Sequence, residues 1–513
     1  MLAKTLMVQG TSSDSGKSLL VAALCRIFAG KGVRVAPFKS QNMALNSFAT
    51  LDGDEIGRAQ ALQADAARIE PTVDMNPILL KPTDKQRSQV IVRGKVYKTL
   101  SAREYYREKT DLIAIVEESL HRLRTTYDLV IIEGAGSPAE VNLKSEDIVN
   151  MRVAKLAKAP VLLVGDIDRG GVFASLVGTI ELLEPDERAI VKGLIINKFR
   201  GDVTLLDSGI EFLTAKTGKP VLGIVPYLMD LKLDSEDSLA LEKTNRVSNP
   251  IINIAIVRLP HIANFTDIDA LAHEPGVAIS YVAPGEPIDN ADLVIIPGTK
   301  NTMEDMTTLN KSGMSEEVRH CYARGVPVAG ICGGYQMLGH TISDEYGIES
   351  DQRRVAGIGL LECETRLNPS KVTVQVKARV EGEGSIFSPV RGANINGYEI
   401  HMGETVLFRG AKEAFRIIKR GSDACDISDG CVSKDGLVFG TYIHGLFDNG
   451  ALRKSLIDYI KSQKGLGADS SGIDYSVHRQ EQLDYLADTV INSLDIESIE
   501  GIIGAGVCGS RLR

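Results

Sequence analysis

Long apolar runs are missing from this chain of 513 residues, and none approaches the ~18 residues that a membrane span requires. A membrane-embedded role is therefore not expected, and residues 1–10 also lack the charged and apolar regions of a secretory signal. Cysteine is sparse: seven residues, at 25, 321, 332, 363, 425, 431 and 508, include no CxxC pair, so neither a disulfide framework nor a zinc site is indicated. A reducing cytoplasm suits such a set. Positive charge is in deficit as well, with a formal net charge of -9, which argues against nonspecific binding to nucleic acid or anionic membranes. What remains, 43% apolar and 24% charged residues, is the composition of a water-soluble globular enzyme, and the length accommodates two large α/β domains.

The first loop dominates what is present. Gly10-Thr11-Ser12-Ser13-Asp14-Ser15-Gly16-Lys17-Ser18 follows the apolar run Thr5 to Val8 and precedes a helical pattern of Leu19, Leu20, Ala23, Leu24, Ile27 and Phe28. Glycines at both ends let backbone N–H groups turn toward an anion, Lys17 adds a point charge, and the Ser18 hydroxyl can hold Mg²⁺. Five residues separate Gly10 from Gly16, one more than in the standard phosphate loop. The reading is a nucleotide site.

Strand-like runs then alternate with helical stretches: Val33 to Ala36, Leu129 to Ile132, Val161 to Val164, Gly193 to Ile196 and Val221 to Val225. Runs apolar on both faces imply a parallel sheet covered by helices, whose ligands gather at the carboxyl ends of the strands. Lys39, Glu133, Asp166 and Asn197 stand at those ends. Glu133 can bind Mg²⁺ or accept N–H bonds in a Gly turn; Asp54 is either a second metal carboxylate or a solvated turn; Asn197 either reads an adenine edge or stabilises a turn. Lys81 to Lys98 holds six basic residues against one acidic, a solvated face or a patch for a polyanionic substrate.

Residues 236–250 are polar and end in Ser-Asn-Pro, which reads as a linker between domains 1–235 and 251–513. Ile251 to Leu259, Leu293 to Ile296, Val326 to Ile331 and Leu437 to Ile443 suggest a second α/β unit, and the Gly-rich tail from Gly501 is expected to fray. Within it Gly330-Ile331-Cys332-Gly333-Gly334 has the small-nucleophile-small pattern of a strand-to-helix elbow, which exposes Cys332 at a helix N-terminus as a candidate nucleophile. His444, closing the run Leu437 to Ile443, is the best-placed base among eight histidines, with His401 its rival. Gly298, after another strand, can pair its N–H with that of Gly333 as an oxyanion hole.

These motifs together resemble the glutamine-dependent cobyric acid synthase family of cobalamin biosynthesis over nearly the whole chain. The N-terminal half is similar to P-loop ATPases of the dethiobiotin-synthetase type, which share the longer loop, and the C-terminal half to class I glutamine amidotransferases, with a C-terminal helical extension. Pro37-Phe38-Lys39-Ser40-Gln41-Asn42-Met43, Asp166-Ile167-Asp168-Arg169-Gly170-Gly171-Val172-Phe173 and Tyr398-Glu399-Ile400-His401-Met402-Gly403 carry the resemblance most specifically. It implies ATP and Mg²⁺ as cofactors, with Gly10, Gly16, Lys17, Ser18, Lys39 and Asn197 binding nucleotide, and Ser18, Glu133 and Asp54 the metal. It also implies glutamine and a corrinoid as substrates: ammonia released at Cys332 would amidate the b, d, e and g carboxylates of adenosylcobyrinic acid a,c-diamide through acyl phosphates. The sibling cobyrinic acid a,c-diamide synthase, cytidine triphosphate synthase, and a partition-type ATPase switch with an inert glutamine-sensing domain are the rival readings. One feature departs from most class I enzymes: His444-Gly445-Leu446 has leucine where a His-x-Glu pair would place the acid that orients the histidine, so that orienting group is left open.

Overall fold

The computed structural model describes residues 2–84, 87–233, 249–467 and 472–504. The chain forms two compact units, one of Met1–Ala44, Glu55–Leu233 and Arg479–Arg513, the other of Leu45–Asp54 and Asp234–His478.

In the first unit, the six apolar runs expected as strands are the six strands of one sheet, in the order Val221–Pro226, Val191–Phe199, Val161–Asp166, Lys4–Gly10, Leu129–Glu133, Val35–Phe38. All neighbours run parallel. Leu129–Glu133 and Val161–Asp166 are buried along their whole length, as a sheet covered on both faces requires. The register Val8↔Glu133 sets the carboxylate at the end of the strand that opens the phosphate loop, and Asp166↔Asn197 sets the next pair of polar residues alongside.

A second sheet in this unit, Gln41–Met43, Ile78–Asp84, Arg87–Val92 and Lys95–Ser101, was not anticipated. It absorbs much of the basic stretch. Lys81 is buried 2.7 Å from Glu55, Arg93 lies 2.5 Å from Glu118 and Lys98 2.7 Å from Glu108; Lys85 lies outside the described residues. Three of the six basic residues are thus ion-paired, while Arg87 donates to the Thr99 carbonyl at 2.7 Å.

The domain boundaries also differ from expectation at the C-terminus. The sequence places the residues from Arg479 onward in the second domain, yet residues 479–504 belong to the first unit. The cause is apolar: Leu483, Leu486, Val490, Ile499 and Ile503, on helices Tyr475–Ser493 and Ile496–Gly504, share one buried cluster with Leu20, Leu24 and Phe28 of helix Lys17–Gly30. Arg26 adds an ion pair to Asp484 at 2.7 Å. Gly501 to Gly504 therefore finish a helix instead of fraying; the rest of the tail, and linker residues 236–248, lie outside the described residues.

The second unit holds the four expected strands as Ile252–Val257, Leu293–Ile296, Val328–Ile331 and Val438–Thr441, neighbours in that order and parallel, flanked by an unforeseen parallel strand Val277–Val282 beside the first and an antiparallel Cys431–Val432 beside the last. A seven-stranded sheet that the sequence reading did not foresee is built on the long antiparallel pair Cys363–Val380 and Asn394–Leu407. The run ending in His444 divides between the two sheets: Val438–Thr441 pairs with Val328–Ile331, whereas Ile443–His444 pairs with Tyr398 and Glu399. Among the described residues no helix is long and apolar enough to cross a membrane.

Leu486→Ala tests the return of the C-terminal helices. This side chain is 1% exposed, so its truncation should destabilise the first unit by about 2–5 kcal/mol, measured by denaturant unfolding. A change within about 0.5 kcal/mol would mean that the helix does not pack there.

Candidate active sites

Cys332 joins strand Val328–Ile331 to helix Gly333–Leu338 with φ 53° and ψ -110°, a backbone conformation that costs a non-glycine residue of order 1–3 kcal/mol. Its N–H donates to the Thr441 carbonyl at 2.8 Å and its own carbonyl accepts from Gln336 N–H at 3.1 Å, which hold the turn. Strain thus sits on the residue that the elbow pattern singled out. The sulfur is 3.5 Å from the Ile400 carbonyl, and it lies near enough to His444 to favour the charged imidazole.

His444 is 1% exposed and held on several sides. Its Nδ1 lies 2.7 Å from Asp267 Oδ2, and Asp267 Oδ1 accepts the Gly445 N–H at 2.8 Å, so one carboxylate fixes both the ring and the peptide after it. Tyr398 stacks on the imidazole at 5.2 Å between centroids, with planes 19° apart. Asp267 is the acid that the missing His-x-Glu pair left open. It comes from the short helical turn Phe265–Ile268, and nothing in its sequence neighbourhood marks it beyond its place after a strand end.

The electrostatics follow from this geometry. Burial by itself lowers the imidazole pKa, but the Asp267 carboxylate and the Cys332 sulfur raise it from 6.5 to about 10. A folded-state pKa above the unfolded one means that protonated His444 stabilises the fold, fully below about pH 6.5. That contribution is lost as pH rises through about 10.

Gly298 lies against both side chains: a Cβ built there would stand 3.4 Å from His444 Cε1, 3.8 Å from Cys332 Cβ and 3.0 Å from the Ala263 carbonyl. Its turn is tied by Ala263 N–H donating to the Gly298 carbonyl at 2.9 Å and by Thr299 Oγ1 donating to Asp305 at 2.5 Å. A Cβ at Gly333 would meet Thr299 Cγ2 at 2.6 Å, so the two glycine turns pack on each other beside the sulfur. His401 has other work. Its ring stacks on Tyr442 at 3.8 Å, and its Nε2 is 3.4 Å from Glu399, a carboxylate also gripped by Arg420 at 2.8 and 2.9 Å.

In the first unit Lys17 arches over the loop, donating to the carbonyls of Ser12 at 2.7 Å and Gly136 at 3.2 Å. Glu133 is the centre of the polar network: Ser18 Oγ and Lys39 Nζ each donate to its Oε1 at 2.8 Å, and Gln63 Nε2 to its Oε2 at 2.6 Å. Gln63 and Lys198, which donates to Asp166 at 2.8 Å and to the Asp14 carbonyl, were not foreseen. Asn197 Nδ2 donates to the Ser15 carbonyl at 2.8 Å, the loop-holding alternative. Gly16, at φ 91°, is required there because a Cβ would fall 2.0 Å from that amide. Asp54 belongs to the other unit, where its N–H donates to Thr50 Oγ1 in a turn. No group of three or more His, Cys, Asp or Glu among the described residues forms a metal cluster by itself. A hydroxyl and a carboxylate at the end of a phosphate loop are nevertheless the donor set that Mg²⁺ takes with nucleotide phosphates.

Comparison with known proteins agrees with this division. A family model described as the CobQ/CobB/MinD/ParA nucleotide binding domain matches residues 6–240, and one described as the CobB/CobQ-like glutamine amidotransferase domain matches residues 253–452. The cobyric acid synthase of Sorangium cellulosum is 53% identical over 518 residues, covering 98% of this chain and 99% of its own. That of Pelotomaculum thermopropionicum is 51% identical over 509 residues, with 98% and 97% covered. Among solved structures, PurLQS from Thermotoga maritima covers 42% of this chain and 100% of its own, at 22% identity and a TM-score of 0.34, a likeness too loose to support inference.

Asp267→Asn keeps the shape of the acid and removes its charge. Glutamine hydrolysis should lose kcat by about 10²–10⁴-fold with KM nearly unchanged, read from glutamate formation. In parallel, the loss of stability that the parent protein shows as pH approaches 10 should shift to lower pH in the variant. An unaltered kcat would remove Asp267 from the relay.

Proposed function

The chain belongs to the cobyric acid synthase family, glutamine-dependent amide-forming ligases of cobalamin biosynthesis, and from that premise we propose that it amidates the b, d, e and g side-chain carboxylates of adenosylcobyrinic acid a,c-diamide. The observation that carries the reading is that one chain, matching its relatives over nearly its full length, holds both a Cys332–His444–Asp267 relay and a phosphate loop with Lys17, Ser18 and Glu133. We place the reaction in the cytoplasm, where a catalytic thiol stays reduced.

At the first centre the Cys332 thiolate attacks the glutamine side-chain carbonyl carbon, and the electron pair moves to oxygen beside the Gly298 and Gly333 N–H groups. Collapse breaks the C–N bond, His444 gives the departing nitrogen its proton, and ammonia leaves a thioester. Water, deprotonated by the same imidazole, then attacks the thioester, the C–S bond breaks to return the thiolate beside the protonated imidazole, and the glutamic acid formed gives its proton to ammonia. Asp267 holds Nδ1 throughout, so that Nε2 is the nitrogen that exchanges the proton.

At the second centre a corrinoid carboxylate oxygen attacks the γ-phosphorus of ATP, and ADP leaves. Ammonia displaces phosphate from the resulting acyl phosphate, forming the amide. Lys17 and the loop N–H groups bind the phosphates, Asn197 keeps the loop in shape, and Lys39 and Gln63 hold the Glu133 carboxylate in place. Ser18 and Glu133 would hold Mg²⁺, which when bound offsets the phosphate charge. The substrate is anionic, and three of the six basic residues between Lys81 and Lys98 are already ion-paired. A cavity of about 570 Å³ in the same unit, lined by Arg103, Tyr106, Arg107, Asn142, Leu143 and Glu146, offers two guanidinium groups for the corrinoid carboxylates instead.

Three variants separate these roles. Cys332→Ala should lose glutamine-dependent amidation by about 10⁴-fold or more, yet recover it with ammonium salts at mildly alkaline pH. Lys17→Ala should do the opposite, hydrolysing glutamine while failing to amidate from either nitrogen source. Failure of ammonia to rescue a folded Cys332→Ala protein would overturn the division of labour, and would leave an ATPase switch as the better reading. Arg103→Gln with Arg107→Gln should raise the KM for corrinoid several-fold more than that for ATP; equal effects would remove this cavity from substrate binding.

A further inference from the structure

Residues 45–54 interrupt the first unit in sequence and belong to the second in space. They leave the nucleotide-binding unit after Ala44, shortly beyond Lys39, and rejoin it by a peptide bond at Glu55, the buried partner of Lys81. Between those points the segment lies on the glutaminase centre. Asn46 and Ser47 are each 1% exposed, and Asn264, which the Ser47 N–H holds, is 4% exposed.

The contacts converge on one catalytic group. Ser47 N–H donates to Asn264 Oδ1 at 2.9 Å, which fixes which end of that amide faces the site. The other end, Nδ2, stands 3.4 Å from His444 Nε2, the edge of the imidazole opposite Asp267. Asn46 Oδ1 accepts the Phe265 N–H at 3.2 Å and so anchors the turn Phe265–Ile268 that carries Asp267. Tyr398, stacked on the imidazole, packs against Phe48 at 5.0 Å between ring centroids, and its hydroxyl is 3.5 Å from the Ser47 carbonyl. Asn264 has φ 52°, in the left-handed region that asparagine tolerates better than other non-glycine residues, so both its backbone and its side chain are specified here.

One edge and one face of His444 are therefore set by groups that the segment holds, Asp267 through Asn46 and Tyr398 through Phe48, and Asn264, held by Ser47, meets the other edge with a donor once Nε2 has given up its proton. We propose that Leu45–Asp54 is a strap that positions His444, with Asn46 and Asn264 as positioning residues, and that glutamine hydrolysis is thereby tied to a segment whose two ends belong to the nucleotide-binding unit. A change in the course of the chain at Ala44 or Glu55 when that unit takes its substrates would reach the imidazole through the backbone of Ser47. The benefit is chemical economy, since ammonia released without an acceptor is glutamine wasted.

The inference rests on the glutaminase reading, and its first readout, glutamine hydrolysis, needs no corrinoid. In the full-length protein, Asn46→Leu and Asn264→Leu should each lower kcat for glutamine hydrolysis by roughly three- to tenfold, the worth of one to two hydrogen bonds, with KM within about twofold of the parent. Asn46→Asp keeps the acceptor for the Phe265 N–H and should restore kcat to within about twofold of the parent, a rescue that mere loss of packing would not give. Ammonia-dependent amidation should stay within about twofold in all three, since their side chains belong to the glutaminase centre. Unchanged hydrolysis in both leucine variants, or a parallel loss of ammonia-dependent amidation, would overturn the strap. A parent protein that hydrolyses glutamine but amidates no corrinoid would instead overturn the proposed substrate, so the two failures are distinguishable.

Discussion

The contact between His444 Nδ1 and Asp267 at 2.7 Å is the constraint on which the second unit's chemistry depends. A buried imidazole left alone would be neutral and free to rotate; with the carboxylate on one edge and the Cys332 sulfur nearby it carries charge and has one orientation. The fold serves that contact from three directions. The parallel sheet carries Cys332 at the end of one strand and His444 just beyond the neighbouring one, while the long antiparallel pair supplies Tyr398 as a backing ring. The loop after Ile252–Val257 brings Asp267. An acid delivered from a separate loop, instead of from two residues past the histidine, orients the imidazole here with a leucine at position 446.

A single carboxylate has an equivalent role in the first unit. Glu133 ties the loop serine, the lysine after the second strand and a helix glutamine into one network, and it is 1% exposed. Burying an acid of this kind is costly unless its oxygens are hydrogen-bonded, and here both are. The network keeps Ser18 and Lys39 facing the phosphate end of the loop before any ligand arrives, which reduces the ordering that binding must impose.

The legibility of the sequence followed from how local each signal was. Glycines around Lys17 and around Cys332 mark turns that only a few residues define, and the sheet strands are apolar on both faces, so both were readable without tertiary knowledge. Asp267 was not, because its function arises from a contact across 177 residues of chain, and an aspartate in a short turn looks like any other. The strap was invisible for a similar reason: Asn46 and Ser47 sit in a polar stretch whose partners lie more than 200 residues away. The long antiparallel strands had a readable alternation in Lys371 to Val380, which the reading in terms of parallel α/β units passed over. Misplacing the C-terminal helices came from counting along the chain, whereas Leu483, Leu486 and Val490 answer to the apolar face of helix Lys17–Gly30.

The central claim is that nitrogen freed at Cys332 becomes amide on a corrinoid at the expense of ATP. Its most direct measurement is mass spectrometry of adenosylcobyrinic acid a,c-diamide after incubation with this protein, ATP, Mg²⁺ and glutamine labelled with ¹⁵N only in the side-chain amide. The account predicts stepwise appearance of four ¹⁵N amides per corrinoid, with one ADP and one glutamate formed for each. Release of ADP and glutamate with no label entering the corrinoid would contradict it.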